Sequence, residues 1–81
     1  MSVQVRLFAV ARELAGADVV SLELPALGTV RDLRAALAAE VPALAEILPH
    51  VLFAIDSQYV AEESVVPDGI EVACIPPVSG G

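Results

Sequence analysis

Residues Thr29–Val41 form the one stretch of this chain with both the length and the stripe of a helix able to cover a sheet. Val30, Leu33, Leu37 and Val41 recur every three to four residues on one side, while Arg31, Arg34 and Glu40 lie off it. Thr29 can cap the first turn, and Asp32 stands three residues later, where the acid of a capping box belongs. Pro42 stops this helix or opens a second short one, through Leu44, Ile47 and Leu48 to Pro49. With a single long helix, the apolar stripe needs a sheet to bury against.

The flanking segments supply that sheet. From Val3 to Val10 the chain alternates, with Val3, Val5 and Leu7 on one side and Gln4, Arg6 and Phe8 on the other, which predicts a half-buried strand. Ala11–Ala15 is a short helical turn ended by Gly16. Val20, Leu22 and Leu24 mark a second strand that stops at Pro25 and pairs back as an antiparallel hairpin. After the helix, Val51, Phe53 and Ile55 alternate again, Asp56-Ser57-Gln58 is a turn, and Tyr59-Val60 a short return strand. Pro67-Asp68-Gly69 is a further turn before a last strand, Ile70–Ile75, with Ile70, Val72 and Cys74 on one face. A hairpin, one crossing helix and two or three more strands give an α+β domain, with the last strand parallel beside the first. That is the β-grasp arrangement, with one main helix packed on one face of a mixed sheet. Residues 1–75 form the domain and residues 76–81 an extended tail.

Composition limits what such a domain can do. Eighty-one residues make one domain, which at this size buries only about 60% of its unfolded surface. Hydrophobic residues make up 57%, too many for a disordered chain. Ile47–Ile55, the longest interior run without charge, falls well short of the roughly 20 residues of a membrane span. The N-terminus alternates and does not read as a signal peptide, so a cytoplasmic protein that avoids membranes is expected. Eleven acidic residues stand against four Arg and no Lys, for a net charge of −7. No basic patch exists to hold nucleic acid. The acidity serves solubility or steers the chain toward a basic partner. Cys74 is alone, which excludes an internal disulfide or a cysteine metal cluster, and its neighbours in phase make it a small core residue. His50, the one histidine, belongs to a loop, and no metal site is expected. Glu62-Glu63 reads as a solvated loop. Neither a nucleophile elbow nor a Gly-rich phosphate loop is present. A binding or carrier protein is the expectation.

Two features exceed what a core requires. The tail Pro76-Pro77-Val78-Ser79-Gly80-Gly81 cannot continue a sheet ladder, and its prolines favour an extended path away from the body. Six residues reach about 20 Å. Gly80 and Gly81 carry no Cβ and can thread a channel that other residues would block. The carboxylate of Gly81 is a reactive group that needs no side chain; it can attack the α-phosphorus of ATP to give an acyl-adenylate. Phe8 and Ile75 are the second feature. Both fall on the outer side of their strands, near the root of the tail, where contiguous apolar surface marks an interface. Arg12 and Glu13, on the short helical turn, are available to a partner or to neighbouring charges.

These residues carry a resemblance. Val5–Gly16 (VRLFAVARELAG), the helix start Thr29-Val30, the strand Asp68–Ala73 and the terminal PPVSGG together resemble the small subunit of molybdopterin synthase, a family of ubiquitin-like sulfur carriers. The likeness spans essentially the whole chain. It implies that an E1-like adenylating enzyme activates Gly81 with ATP and that a sulfur donor protein converts it to a thiocarboxylate. It implies further that Pro76, Pro77, Val78, Ser79 and Gly80 thread into the large synthase subunit, where sulfur passes to cyclic pyranopterin monophosphate. Phe8, Arg12 and Ile75 would contact the partners. The chain itself would be non-catalytic and hold no cofactor, ATP being used by the activating enzyme, and the assembly would be a heterotetramer. The competing functions are a sulfur carrier for thiamine thiazole or tRNA thiolation, a ubiquitin-like protein modifier, and an interaction domain with an inert tail.

Overall fold

The computed structural model describes residues 1–77 and places the last strand in parallel beside the first. In chain order the elements are β1 (Ser2–Leu7), α1 (Ala9–Ala15), β2 (Val19–Glu23), α2 (Val30–Glu40), β3 (Leu52–Ile55), β4 (Gln58–Tyr59) and β5 (Glu71–Ile75). Two 3₁₀ turns, Pro42–Leu44 and Leu48–His50, link α2 to β3. The five strands lie in the order β2-β1-β5-β3-β4. β1 is antiparallel to β2, and β5 is antiparallel to β3. This is the mixed sheet and single long helix of the β-grasp fold.

Local chemistry sets the bounds of α2. The Thr29 hydroxyl accepts from the Asp32 N–H, and the Asp32 carboxylate accepts from the Thr29 N–H at 2.9 Å, completing the capping box. Val30, Leu33 and Leu37 are fully buried against the inner sheet face, where Val3, Val5, Leu7, Leu22, Phe53, Val72 and Cys74 meet them. Leu44 and Leu48 of the 3₁₀ turns close the end of this core. Pro42 therefore does open a second short helical segment, but a 3₁₀ one. At about 25 cal/mol per Å² of apolar burial, this one cluster supplies most of what holds so short a chain together.

Several boundaries differ from the expectation. β2 ends at Glu23 and not Leu24, β3 begins at Leu52 and not Val51, and β5 begins at Glu71. Ile70 still lies between the Pro67-Asp68-Gly69 turn and that last strand. β1 stops at Leu7 rather than Val10, because Ala9 turns to φ 51° and starts α1 two residues before the expected helical turn. α1 is thus the connection between the hairpin strands. It buries Ala11 and ends on Gly16, whose φ of 69° suits a residue without Cβ. The β3–β4 turn holds only Asp56 and Ser57, both left-handed at φ 50° and 66°. That pair of conformations is a two-residue hairpin turn, so Gln58 already belongs to β4, and Val60 lies beyond it.

Arg34 ties the helix to the far side of the domain. Its guanidinium donates to the Leu48 carbonyl and, at 2.9 Å, to that of Val51. It also bridges Glu62 at 3.1 and 2.5 Å and lies 4.9 Å over the Phe53 ring. Glu62 is therefore an ion-pair partner and not merely part of a solvated loop. Its hydrogen bond with Arg34 holds the carboxyl below the usual carboxylate range. A depressed folded-state pKa contributes stability above the unfolded pKa and loses it as pH falls through the folded value. Glu62→Gln is accordingly expected to cost about 1 kcal/mol at neutral pH, allowing for the pair's partial exposure. Urea unfolding as a function of pH checks this: the deficit should vanish in acid, where the parent carboxyl is protonated.

Candidate functional site

The strand registers gather the outward side chains into rows. Leu52 on β3 sits opposite Ile75 on β5, and Phe8 follows directly on the Leu7↔Cys74 pair, which brings it beside Ile75. The next row holds Arg6, Ala73, Ala54 and Tyr59 across four strands. Phe8, Ile75, Ala73, Ala54, Tyr59 and Arg6 line one shallow open groove on this outer face. Phe8 is 42% exposed, Leu52 51% and Tyr59 66%, fractions far above those of the inner-face residues. Alternation produces this split. Each strand turns its odd residue set one way and its even set the other, and only one set meets α2.

Arg6 supplies the polar rim. Its guanidinium grips Glu71 with two bonds, 2.9 Å from Nε and 3.2 Å from Nη2. Both side chains are about half exposed, so the pair contributes little to stability. Its effect is to hold a planar cation at the groove's edge.

The structure brings Phe8 and Ile75 together, as the outer-face alternation requires. Pro76, directly after Ile75, is buried, and Pro77 is exposed. The chain thus leaves the body from the centre of the sheet, at the end of the apolar row. Val78, Ser79, Gly80 and Gly81 lie outside the described residues. Arg12 is exposed on α1, 3.8 Å from Asp18, and does not line the groove. Leu52 and Tyr59 were not singled out from the sequence. Leu52 had a signal: it is the large apolar residue out of phase with Val51, Phe53 and Ile55, as Phe8 is with its own strand. Tyr59 had none, since a two-residue strand shows no period.

Among the described residues there is no group of side chains able to hold a metal ion. Cys74 is fully buried, and desolvation pushes its thiol up to about 11, which removes the thiolate at neutral pH. Iodoacetamide at neutral pH is expected to leave Cys74 untouched in the folded protein and to alkylate it fully in urea. Intact mass before and after unfolding reads this directly.

Comparison with known proteins agrees with this geometry. The ThiS family model matches residues 5–81. Molybdopterin synthase sulfur carrier subunits from Chlamydomonas reinhardtii and Arabidopsis thaliana are 39% and 35% identical. Both alignments cover all of this chain, and 100% and 84% of those proteins respectively. Among solved structures, SAMP1 from Haloferax volcanii superposes with a TM-score of 0.87 at 30% identity over the whole of both chains. A putative molybdopterin converting factor subunit 1 from Pyrococcus furiosus gives 0.84 at 31%, over 96% of this chain and 99% of that one. The chain belongs to the ThiS family, alongside the sulfur carrier subunits of molybdopterin synthase.

Proposed function

We propose that this chain is the sulfur carrier subunit of molybdopterin synthase and that Gly81 is its reacting end. The observation that carries the proposal is the apolar row Phe8–Ile75–Leu52 at the root of a tail ending in Gly-Gly. A partner seated on that row receives the tail without further search, because Ile75 and Pro76 are consecutive. In the activating enzyme, a Gly81 carboxylate oxygen attacks the α-phosphorus of ATP and pyrophosphate leaves. A sulfur donor protein then supplies sulfur at the sulfide level, as hydrosulfide. The sulfur attacks the acyl-adenylate carbonyl, the bond from that carbon to the phosphate oxygen breaks, AMP leaves, and a thiocarboxylate remains. In the large synthase subunit the thiocarboxylate sulfur bonds to a side-chain carbon of cyclic pyranopterin monophosphate as an oxygen substituent leaves. Water then cleaves the thioester, the sulfur stays on the pterin, and the carboxylate returns. A dithiolene needs two sulfurs, so the carrier is reloaded after each delivery. Catalytic groups belong to the partners. This chain holds no cofactor, works in the cytoplasm, and joins the large subunit in a heterotetramer of two copies each.

Prolines at 76 and 77 and glycines at 80 and 81 suit this task. The prolines limit the paths open to the root of the tail, and the glycines let its end enter a narrow channel. Phe8, Ile75 and Arg12 are the contacts proposed for both partners. Protein modification is the second function supported by a specific observation, the 30% identity with a protein named as a small archaeal modifier. It predicts conjugates of higher mass in cell extracts, whereas a pure carrier gives none. This chain offers no lysine of its own as an acceptor.

Two experiments test the proposal. Intact mass after incubation with ATP, the adenylating enzyme and a sulfur donor should rise by the exchange of one oxygen for sulfur. A chain lacking Gly81 should show no gain and keep the same unfolding midpoint; a mass gain without Gly81 would overturn the assignment. Separately, Phe8→Asp should fold normally, since Phe8 is outside the core, yet bind the large subunit at least about tenfold more weakly. Unchanged affinity, measured by calorimetry, would remove the outer face from the interface.

A further inference from the structure

We propose that the free edge of β2, with the groove between β2 and α2, takes up an extended basic segment of a partner protein as a sixth strand of the sheet. Among the described residues β2 is the outermost strand on its side and pairs only with β1. The pairing runs one-to-one from Ser2↔Glu23 to Arg6↔Val19 with no bulge. At one end the Leu7 N–H donates to the Asp18 carbonyl at 2.7 Å; at the other the Leu24 N–H donates to that of Met1 at 2.9 Å. Asp18 and Leu24 therefore face β1, and the period of two turns Val20 and Leu22 the same way. The backbone N–H and C=O groups of Val19, Ser21 and Glu23 then point away from the sheet. Exposed edges are normally blunted by lysine, proline or a bulge, and β2 has none of these.

Beside this edge the helix stands back. Leu22 forms part of the groove floor, Ala36 and Ala39 of α2 line the opposite side, and Glu23 and Glu40 border it. Because Ala36 and Ala39 end at Cβ, an incoming strand can turn an apolar side chain inward between helix and sheet. Such strand addition draws affinity from the main chain and specificity from alternate side chains.

Charge selects the occupant. Among the described residues each arginine pairs with a carboxylate elsewhere: Arg6 with Glu71, Arg12 with Asp18, Arg31 with Glu63, Arg34 with Glu62. The Met1 ammonium donates to the Leu24 carbonyl at the end of β2 and keeps its charge there, and Glu23 accepts from the Ser2 hydroxyl. No arginine neutralises Glu23 or Glu40. A second copy of this chain, itself at net −7 and with the same Glu23 and Glu40 at its own edge, is disfavoured there by like charge. A segment alternating aliphatic residues with arginine or lysine meets both the groove and its acidic border.

The test uses the full chain, labelled with nitrogen-15, and a blocked Arg-Val-Arg-Val-Arg-Val hexapeptide, with Glu-Val-Glu-Val-Glu-Val as control. The basic peptide should shift the amide signals of Val19, Ser21 and Glu23 and slow their exchange with solvent. Added salt should weaken it, and the acidic peptide should do nothing. Ser21→Pro removes one outward donor at an edge position that tolerates proline, so it should fold and load sulfur normally while binding the peptide about tenfold more weakly. Ala39→Arg, on the exposed side of α2, should fold and lose binding. The proposal is overturned if shifts appear only around Phe8 and Ile75, if both peptides act alike, or if Ser21→Pro binds as the parent does. Concentration-dependent protection of the same amides without peptide would replace the partner segment with a second copy.

Discussion

The parallel pairing of β1 with β5 is the constraint on which the rest of this molecule depends. Parallel neighbours cannot be joined by a tight turn, so everything between Leu7 and Glu71 must cross over and return. That return carries α2 across the inner face, and a connection of this length adds only modestly to the entropy of closure. In exchange β5 sits at the centre of the sheet, buried on its inner face by Val72 and Cys74. Its last residue stands where β1 ends. The tail consequently leaves from the middle of a bonded surface and not from a fraying edge. Were β5 not paired with β1, Phe8 and Ile75 would not be neighbours; were it not also paired with β3, Leu52 would not extend their row.

The two faces of the sheet divide the labour by residue size as well as by polarity. Inner positions carry branched or aromatic side chains that fill the space under α2, whereas the outer face combines Ala54 and Ala73 with a few large apolar groups at its border. Small residues in the centre and large ones around them make a shallow concavity. Arg6 and Glu71 satisfy one another there, so the polar rim does not demand a partner charge. Arg34 performs the complementary task inside. One guanidinium serves two carbonyls, a carboxylate and an aromatic face, and so ties the turn-rich segment between α2 and β3, whose own backbone bonds are all local, to the helix and to the Glu62 loop. A lysine, with no planar fork, could not make this set.

Much of this was legible in the residues because it follows from short-range periodicity. The alternation of Val3, Val5 and Leu7, the capping box at Thr29 and Asp32, and the phase of Val72 and Cys74 all survive in the structure. What was not legible depends on backbone states that those residue types rarely adopt, or on contacts distant in sequence. Ala9 takes a left-handed φ without being glycine, which ends β1 early. Asp56 and Ser57 do the same in a hairpin turn usually written with Asn-Gly. Glu62 looked solvated because its partner Arg34 lies 28 residues away. Leu52 and Tyr59 joined the outer face only once the register placed β3 and β4 beside β5. The tail, by contrast, was read from chemistry and not from periodicity, and Gly81 as its reacting end is part of the proposed function.

The placement of the two surfaces bears on how a carrier moves between partners. On the function proposed above, an activating enzyme and a sulfur-accepting subunit would both seat on the row of Phe8, Ile75 and Leu52 at the root of the tail. They would then exclude one another, and the carrier would not be loaded while delivering. The β2 edge escapes this competition. Its groove opens on the helix side of the sheet, lined by Ala36, Ala39 and Leu22, with none of the residues of the outer groove. A segment added there leaves the tail row free, so binding at the two places is compatible in space. Acidic groups without an arginine partner at that edge favour a flexible basic segment over a folded copy of the same chain, because an extended strand can satisfy Val19, Ser21 and Glu23 without bringing a second acidic surface near.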